Sequence, residues 1–206
     1  GRSLLVSGGV HADPADEKTY NCAFLISGKG RLLRYDKHIL LPYAEAVPLI
    51  DLLGPFYNAP EHFAAGRTPV KFQTLLGTMG PSICLEILYP AFVRRSVAEG
   101  AGVLTNLSND AWFGRSAMPY LHLNAARMRA IENRRFLLRA ANSGISALIG
   151  PGGRLLAETE LFERDRIRGR LASMDRCSIY TRYGQWIVWF VAGVIAGAIL
   201  HCLIRQ

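Results

Sequence analysis

Pro81-Ser82-Ile83-Cys84-Leu85-Glu86 places Cys84 at the end of an apolar strand, read over Ser82 to Leu85, just before a turn toward Tyr89-Pro90, where a proline can open a helix. A strand that feeds a helix through so short an elbow is a unit of an α/β domain. The elbow also gives Cys84 a chemical opening. Backbone amides at a helix start favour a thiolate and can hold an oxyanion. On these residues alone, a small buried core cysteine fits as well.

Working outward, the pattern keeps alternating. The Pro90 helix is expected to run to Glu99 and stop at Gly100, with Val93 and Val97 on its inner face. Gly102 to Leu107 reads as a short apolar strand. Pro119 to about Arg135 is the clearest helix, because Leu121, Ala125, Met128 and Ile131 share one face at helical spacing. Phe136 to Ala140 and Ile145 to Ile149 read as strands around the Asn142-Ser143-Gly144 turn, and an extended segment follows Gly152-Gly153. Upstream, Val70 to Leu76 reads as a strand. Leu4 to Val10 reads as a buried strand, and Tyr20 to Ser27 and Arg31 to Tyr35 form a hairpin across Gly28-Lys29-Gly30. Between these lies a long irregular arm, Leu40 to Thr68, with four prolines and the apolar residues Leu52, Leu53, Phe56 and Phe63. Arms of this length often act as lids or binding segments.

Half of the 206 residues are hydrophobic and 19% are charged, which is the composition of a chain with a core. The net charge of +8 comes from scattered arginines rather than a basic stripe with interleaved aromatics, so nucleic acid is not expected as a partner. Cys22, Cys84, Cys177 and Cys202 form no CxxC pair and are too dispersed for a disulfide framework; neither a metal site nor a cofactor is expected. The abrupt apolar start at Leu4-Leu5-Val6 suggests that an N-terminal part precedes this chain. At the other end, Trp186 to Ile204 holds 19 residues without Asp, Glu, Lys or Arg. At about 1.5 Å per residue it matches the hydrocarbon thickness of a bilayer. Trp186 and Trp189 sit where indoles favour the interface, and Gly193 and Gly197 form a GxxxG pair. A buried core helix is the alternative; no later elements in the chain remain to cover it. Arg182 and Arg205 flank the segment evenly and barely set its orientation.

Lys37 lies in Lys37-His38-Ile39-Leu40-Leu41-Pro42-Tyr43-Ala44-Glu45-Ala46-Val47-Pro48, just after a strand. Such a lysine can hold a negatively charged intermediate or sit solvated at the surface. Glu45 and Glu86 are carboxylates amid apolar neighbours, suited to act as a base, an anchor or an ion-pair partner.

Together these stretches resemble the nitrilase (carbon-nitrogen hydrolase) superfamily, in the form found in the apolipoprotein N-acyltransferases. The Lys37–Pro48 stretch is similar to the lysine segment, and Ile83–Glu86 to the nucleophile elbow. Leu107-Ser108-Asn109-Asp110-Ala111-Trp112-Phe113-Gly114 is similar to the most distinctive segment of that group, and Arg127–Asn133 and Ala141–Gly144 match the helix and turn after it. Order and spacing agree from Gly1 to the C-terminal helix. The resemblance implies an α/β fold, the nitrilase-type αββα sandwich, N-terminally incomplete here. Its catalytic domain would occupy residues 1–182, with a transmembrane helix at 186–204. It implies Cys84 as nucleophile and Lys37 as the stabiliser of the tetrahedral intermediate. Glu86, Glu45 and Asn109 would support the site, and Trp112 and Phe113 would shape the acyl pocket or its mouth, core packing being the plain alternative for these aromatics. The family's general-base Glu precedes the equivalent of Leu4, and no residue here occupies that place. The chain by itself is therefore expected to be inactive. The implied partners are a phospholipid acyl donor, a diacylglyceryl-modified apolipoprotein acceptor and the membrane itself. The implied location is the bacterial inner membrane, multi-pass, with the catalytic domain on the periplasmic side. The Leu40–Thr68 arm would place Phe56 and Phe63 at the lipid surface. One departure is Leu85, where many relatives carry Tyr. Two alternatives stay open: a hydrolase of small amides or nitriles, and an inactive membrane-anchored binding module.

Overall fold

The computed structural model describes residues 3–28, 30–46, 63–67, 71–74 and 77–204. Phe56, Leu52, Leu53 and most of the proline-rich arm lie outside the described residues.

Three antiparallel strands open the chain: β1 (Leu4–Asp13), β2 (Lys18–Ser27) and β3 (Leu32–Asp36), paired in the order β1-β2-β3. Their alternation is that of a sheet with one covered face. Leu25 is 2% exposed whereas its neighbour Ile26 is 40% exposed. Leu5, Ile26 and Leu32 stand opposite one another across the three strands and all are exposed. This corrects the expectation of a buried first strand: Leu5 reaches 57% exposure because β1 presents alternate residues outward.

The second sheet has six strands in sequential order: β4 (Phe72–Thr74), β5 (Gly77–Ile83), β6 (Val103–Asn109), β7 (Phe136–Asn142), β8 (Ala147–Ile149) and β9 (Leu155–Glu158). β5, β6 and β7 run parallel, and the outer pairs are antiparallel. The parallel strands require crossover connections, supplied by helices α1 (Pro90–Ala98) and α2 (Met118–Asn133). Pro90 starts α1, and Val93 and Val97 are buried beneath it as the spacing predicts. Gly80 lets α1 come close: a Cβ there would stand 2.2 Å from Ser96 Oγ.

Two apolar clusters fill the spaces between layers. Ala23, Leu25, Tyr35, Phe72, Met79 and Ile83 join the two sheets. Val93, Val97, Leu104, Leu123, Ala126 and Leu137 belong to the cluster that seats the helices on the six-stranded sheet. The described residues thus form the layers helix, sheet and sheet of the expected sandwich.

In α2 three of the four apolar residues named from the sequence face outward, while Ala125 packs against the core. Leu121, Met128 and Ile131 are 54%, 49% and 40% exposed, while His122, Leu123, Ala126, Arg129, Ala130 and Asn133 are buried. Arg129 and Asn133 go inside because each finds a hydrogen-bond partner, whereas neither ring nitrogen of the buried His122 makes one among the described residues. Arg129 makes two 2.7 Å contacts to Glu132 and Asn133 Nδ2 donates to Arg129 O, while His122 Nδ1 lies 3.4 Å from Asp110 Oδ1.

The chain then leaves the sandwich through a short helix α3 (Ile179–Tyr183), held by Thr181 Oγ1 donating to Asn133 Oδ1 at 3.1 Å and by Arg94 donating to Thr181 O at 2.9 Å. Helix α4 (Trp186–Ile204) follows. Its Trp186–Leu203 window is long and apolar enough to cross a membrane, and none of it is buried against the rest of the chain.

Candidate active site

The parallel strands β5, β6 and β7 all end on one edge of the sheet, the edge at which open α/β sheets hold their ligands. Cys84 follows β5, Asn109 ends β6 and Asn142 ends β7. Cys84 is half-buried and has φ of +50°, a left-handed conformation that costs a non-glycine residue energy. Ile83 is still extended (φ −120°, ψ 124°), and a single 3₁₀ segment, Cys84–Leu88, follows. The reversal between the two turns residue 84 out of the strand.

Glu86 explains why the strain is tolerated. Its side chain is fully buried and accepts from Ile83 N at 2.7 Å, from Tyr35 Oη at 2.7 Å, from His38 N at 2.6 Å and from Ile39 N at 3.1 Å. One carboxylate therefore pins the residue before Cys84 to the residues just after Lys37, so the two loops share a register. Burial pushes the Glu86 carboxyl above its usual range, while the hydrogen bonds oppose the shift. Burial also raises the Tyr35 hydroxyl, which faces the same charge.

Lys37 follows β3 and is 1% exposed. Its Nζ lies 2.5 Å from Glu45 Oε2, and Glu45 also accepts from Leu41 N and Asn21 Nδ2, each at 2.7 Å. Glu45 thus holds the lysine ammonium in place with both of its oxygens engaged, and a buried ammonium needs such a partner.

Behind the elbow lies a polar network that sequence reasoning missed. Arg139, on β7, is buried; it donates to Asn106 Oδ1, to Asp110 Oδ2 at 2.6 Å and to Ile145 O at 3.2 Å. Asn106 reaches Cys84 O at 3.5 Å and Ser82 Oγ at 3.2 Å. Asp110 also accepts from Ser108 Oγ at 2.5 Å. Burial alone would raise its carboxyl; contacts with His122, Arg139 and Ser108 outweigh that and hold it below the usual carboxylate range. Burial lowers Arg139, and the charges of Asp110 and of Cys84 oppose that. Gly144 is required at the turn after β7, since a Cβ there would stand 2.3 Å from Asp110 Oδ2. The signal in the sequence was Asp110 itself, inside the quoted segment; nothing local marked Arg139 or Asn106 as its partners.

Asn109, Trp112 and Phe113 lie at and just after the end of β6, on this edge of the sheet. Asn109 is exposed, and its Oδ1 accepts from Ala111 N and from Asn142 Nδ2, both at 3.3 Å. Trp112 is 83% exposed, which excludes core packing for it. Phe113 is half-buried and edge-on to His122, with ring centroids 5.2 Å apart. Phe63 is half-buried and its backbone N donates to Glu45 O at 3.0 Å, so this end of the arm touches the lysine loop. The other cysteines are free thiols. Burial of Cys22, and then its hydrogen bond to Asp36, push the thiol up to about 12 and make it a poor nucleophile. Among the described residues no cluster of His, Cys, Asp and Glu is arranged to hold a metal ion.

The carbon-nitrogen hydrolase family model matches residues 2–175. Among curated proteins, the apolipoprotein N-acyltransferase of Geobacter metallireducens is 39% identical over 88% of this chain and 35% of its own length. That of Pseudomonas putida is 34% identical over 95% of this chain and 39% of its own. The chain therefore spans a little over a third of the length of these relatives. Among solved structures, Saccharomyces cerevisiae Nit3, a member of branch 10 of the nitrilase superfamily, superposes with a TM-score of 0.63 at 21% identity, covering 79% of this chain and 58% of that one. A carbon-nitrogen hydrolase from Helicobacter pylori superposes with a TM-score of 0.63 at 18% identity, over 79% and 60% of the two chains. At those identities the superpositions speak for the fold.

Proposed function

The chain belongs to the carbon-nitrogen hydrolase family, and on that premise we propose that it carries the acyl-transfer centre of an apolipoprotein N-acyltransferase. Residues 1–182 form the catalytic domain, and 186–204 anchor it in the bilayer. The observation that carries the reading is the joint held by Glu86, which fastens the strained Cys84 elbow to the loop of the buried Lys37. Relatives of that name at 34–39% identity, and an uncovered apolar helix long enough to span a membrane, favour a lipid substrate over a small amide.

Two half-reactions follow. The Cys84 thiolate attacks the ester carbonyl of a phospholipid; a C–S bond forms, and the tetrahedral oxyanion lies against the Lys37 ammonium. The C–O bond then breaks, and the lysophospholipid leaves with a proton on its oxygen, delivered by the general base that had taken it from the Cys84 thiol. The α-amine of a diacylglyceryl-modified cysteine on the acceptor attacks the resulting thioester. A C–N bond forms, the C–S bond breaks and Cys84 departs as thiolate. The ammonium proton goes to a general base, which on the family pattern is a glutamate upstream of the position of Leu4. Glu45 is committed to Lys37, Leu41 N and Asn21 and is assigned to holding the lysine. Glu86 fixes the two loops, Asn109 shapes the edge of the site, and Trp112 and Phe113 border the path of the acyl chain. The catalytic domain faces the periplasm of a multi-pass inner-membrane protein, and the arm that Phe63 closes serves the lipid side of the site.

The test uses the full-length protein in membranes with a labelled phospholipid. Mass spectrometry should find an acyl adduct on the Cys84 peptide that hydroxylamine removes and that Cys84→Ala never acquires. A folded, full-length protein with no adduct would pass the assignment to a small-substrate hydrolase.

A further inference from the structure

The edge of the sheet that carries Cys84 continues into a cleft of about 650 Å³ that the acyl-transfer chemistry has not used. Ala141, Asn142, Ser143 and Ser146 of the β7–β8 turn form one wall, and Thr159 and the Phe162–Arg166 segment form the other. The two walls are tied together: Phe162 N donates to Ser143 O at 3.2 Å and Ser146 N donates to Thr159 Oγ1 at 3.0 Å. Arg115, from the loop after the Trp112 segment, stacks over the Phe162 ring at 5.2 Å. The cleft is thus a held shape, within the size range of ligand sites.

Its place relative to the nucleophile follows from strand register. Ile83 pairs with Leu107, and Leu107 pairs with Ala140. Ile83 and Ala140 therefore stand in one row, two strand spacings or about 10 Å apart, and Cys84 and Ala141 are the next residue of each chain segment. Asn142 at the cleft wall bonds to Asn109 between them. An extended polypeptide advances about 3.4 Å per residue. A chain whose first residue presents its amine at Cys84 enters this cleft about three residues later.

The lining decides what enters. Asn142, Ser146, Thr159 and the run Glu163-Arg164-Asp165-Arg166 offer hydrogen-bonding and charged groups of both signs. An acyl chain gains nothing there. A phosphorylated lipid headgroup would meet two carboxylates along with the two arginines. Polar main-chain and side-chain groups of a peptide suit the mixture. We propose that this cleft receives the polypeptide of the acceptor, over the residues that follow its lipid-modified first cysteine; the proposal rests on the acyl-transfer reading above.

Glu163→Trp and Arg166→Trp, made in the full-length protein in membranes, fill the cleft from exposed positions whose side chains hold none of the hydrogen bonds of its two walls. Acyl-thioester formation on Cys84 should stay at the rate of the unsubstituted protein. Transfer to a diacylglyceryl-cysteine peptide of six residues should show a KM raised about tenfold, equivalent to about 1.4 kcal/mol. Transfer to diacylglyceryl-cysteine amide, which has no following residues, should be unchanged. Slower thioester formation would mean that the cleft serves the donor headgroup and would overturn the proposal. Equal slowing on both acceptors, or no change on the peptide, would overturn it too. If the unsubstituted protein forms no thioester at all, it is the acyl-transfer reading that fails, and this proposal falls with it.

Discussion

Glu86→Gln is the sharpest test of the elbow. Glu86 Oε1 accepts from His38 N and Ile39 N, and Oε2 accepts from Ile83 N and Tyr35 Oη. Glutamine keeps one acceptor oxygen and turns the other atom into a donor. Placed toward His38 and Ile39, the amide NH₂ faces two backbone N–H groups. Placed toward Tyr35 and Ile83, it faces one, since the tyrosine hydroxyl can rotate and accept. The better orientation leaves one buried N–H unsatisfied, at about 1–3 kcal/mol, and the remaining bonds lose their charge assistance. A total of about 3 kcal/mol corresponds to a fall in Tm of roughly 6–12 °C for a domain of this size. The elbow and the lysine loop also lose their shared register, and a displacement of about 1 Å at a reacting group can cost on the order of a hundredfold in rate. The assay is thermal unfolding of the detergent-solubilised full-length protein, together with the rate of thioester formation on Cys84. A Tm and a rate within error of the unsubstituted protein would refute the reasoning: the carboxyl would then be protonated in the folded state, and a glutamine would replace it without loss.

Three further substitutions probe other parts of the site. Glu45→Gln leaves the buried Lys37 ammonium without its carboxylate, so the fold should lose about 3 kcal/mol and thioester formation should fall, read by the same melting and acylation assays. Gly144→Ala drives a methyl group into the Asp110 carboxylate and displaces it from Arg139; Tm should fall, and a melt indistinguishable from that of the unsubstituted protein would show that the turn has room. Asp110 has a folded-state pKa below its ordinary value, so its contribution to stability is present above the usual carboxylate range and is lost as pH falls through the lowered value. Asp110→Asn should therefore lose less Tm between pH 6 and pH 3 than the unsubstituted protein does.

Much of the secondary structure could be read locally. A Pro at a helix start, Gly after its end and apolar runs between turns placed α1, α2, β6 and β7 to within two residues, because those signals act over a single turn. The length and uniform apolarity of Trp186–Ile204 likewise depend on no other part of the chain. Packing was harder to read. Spacing put Leu121, Ala125, Met128 and Ile131 on one face of α2, and the structure turns Leu121, Met128 and Ile131 outward while Ala125 packs against the core. The opposite face brings Arg129, His122 and Asn133 to partners that are distant in sequence or a turn away, and no window of residues reveals that those partners exist. The same holds for the site. Cys84, Lys37 and Glu86 could be named from motifs. That Glu86 bridges to the backbone of His38, 48 residues away, follows only from two sheets packing face to face. Arg139 and Asn106 carried no local mark, because a buried ion pair is a property of three-dimensional neighbours. Sequence alone marked which elements form and which residues to nominate for the chemistry, since propensity and motif are local. Tertiary structure decided which faces are buried and which side chains hold the reactive ones in place, since burial and pairing depend on what the rest of the chain brings alongside.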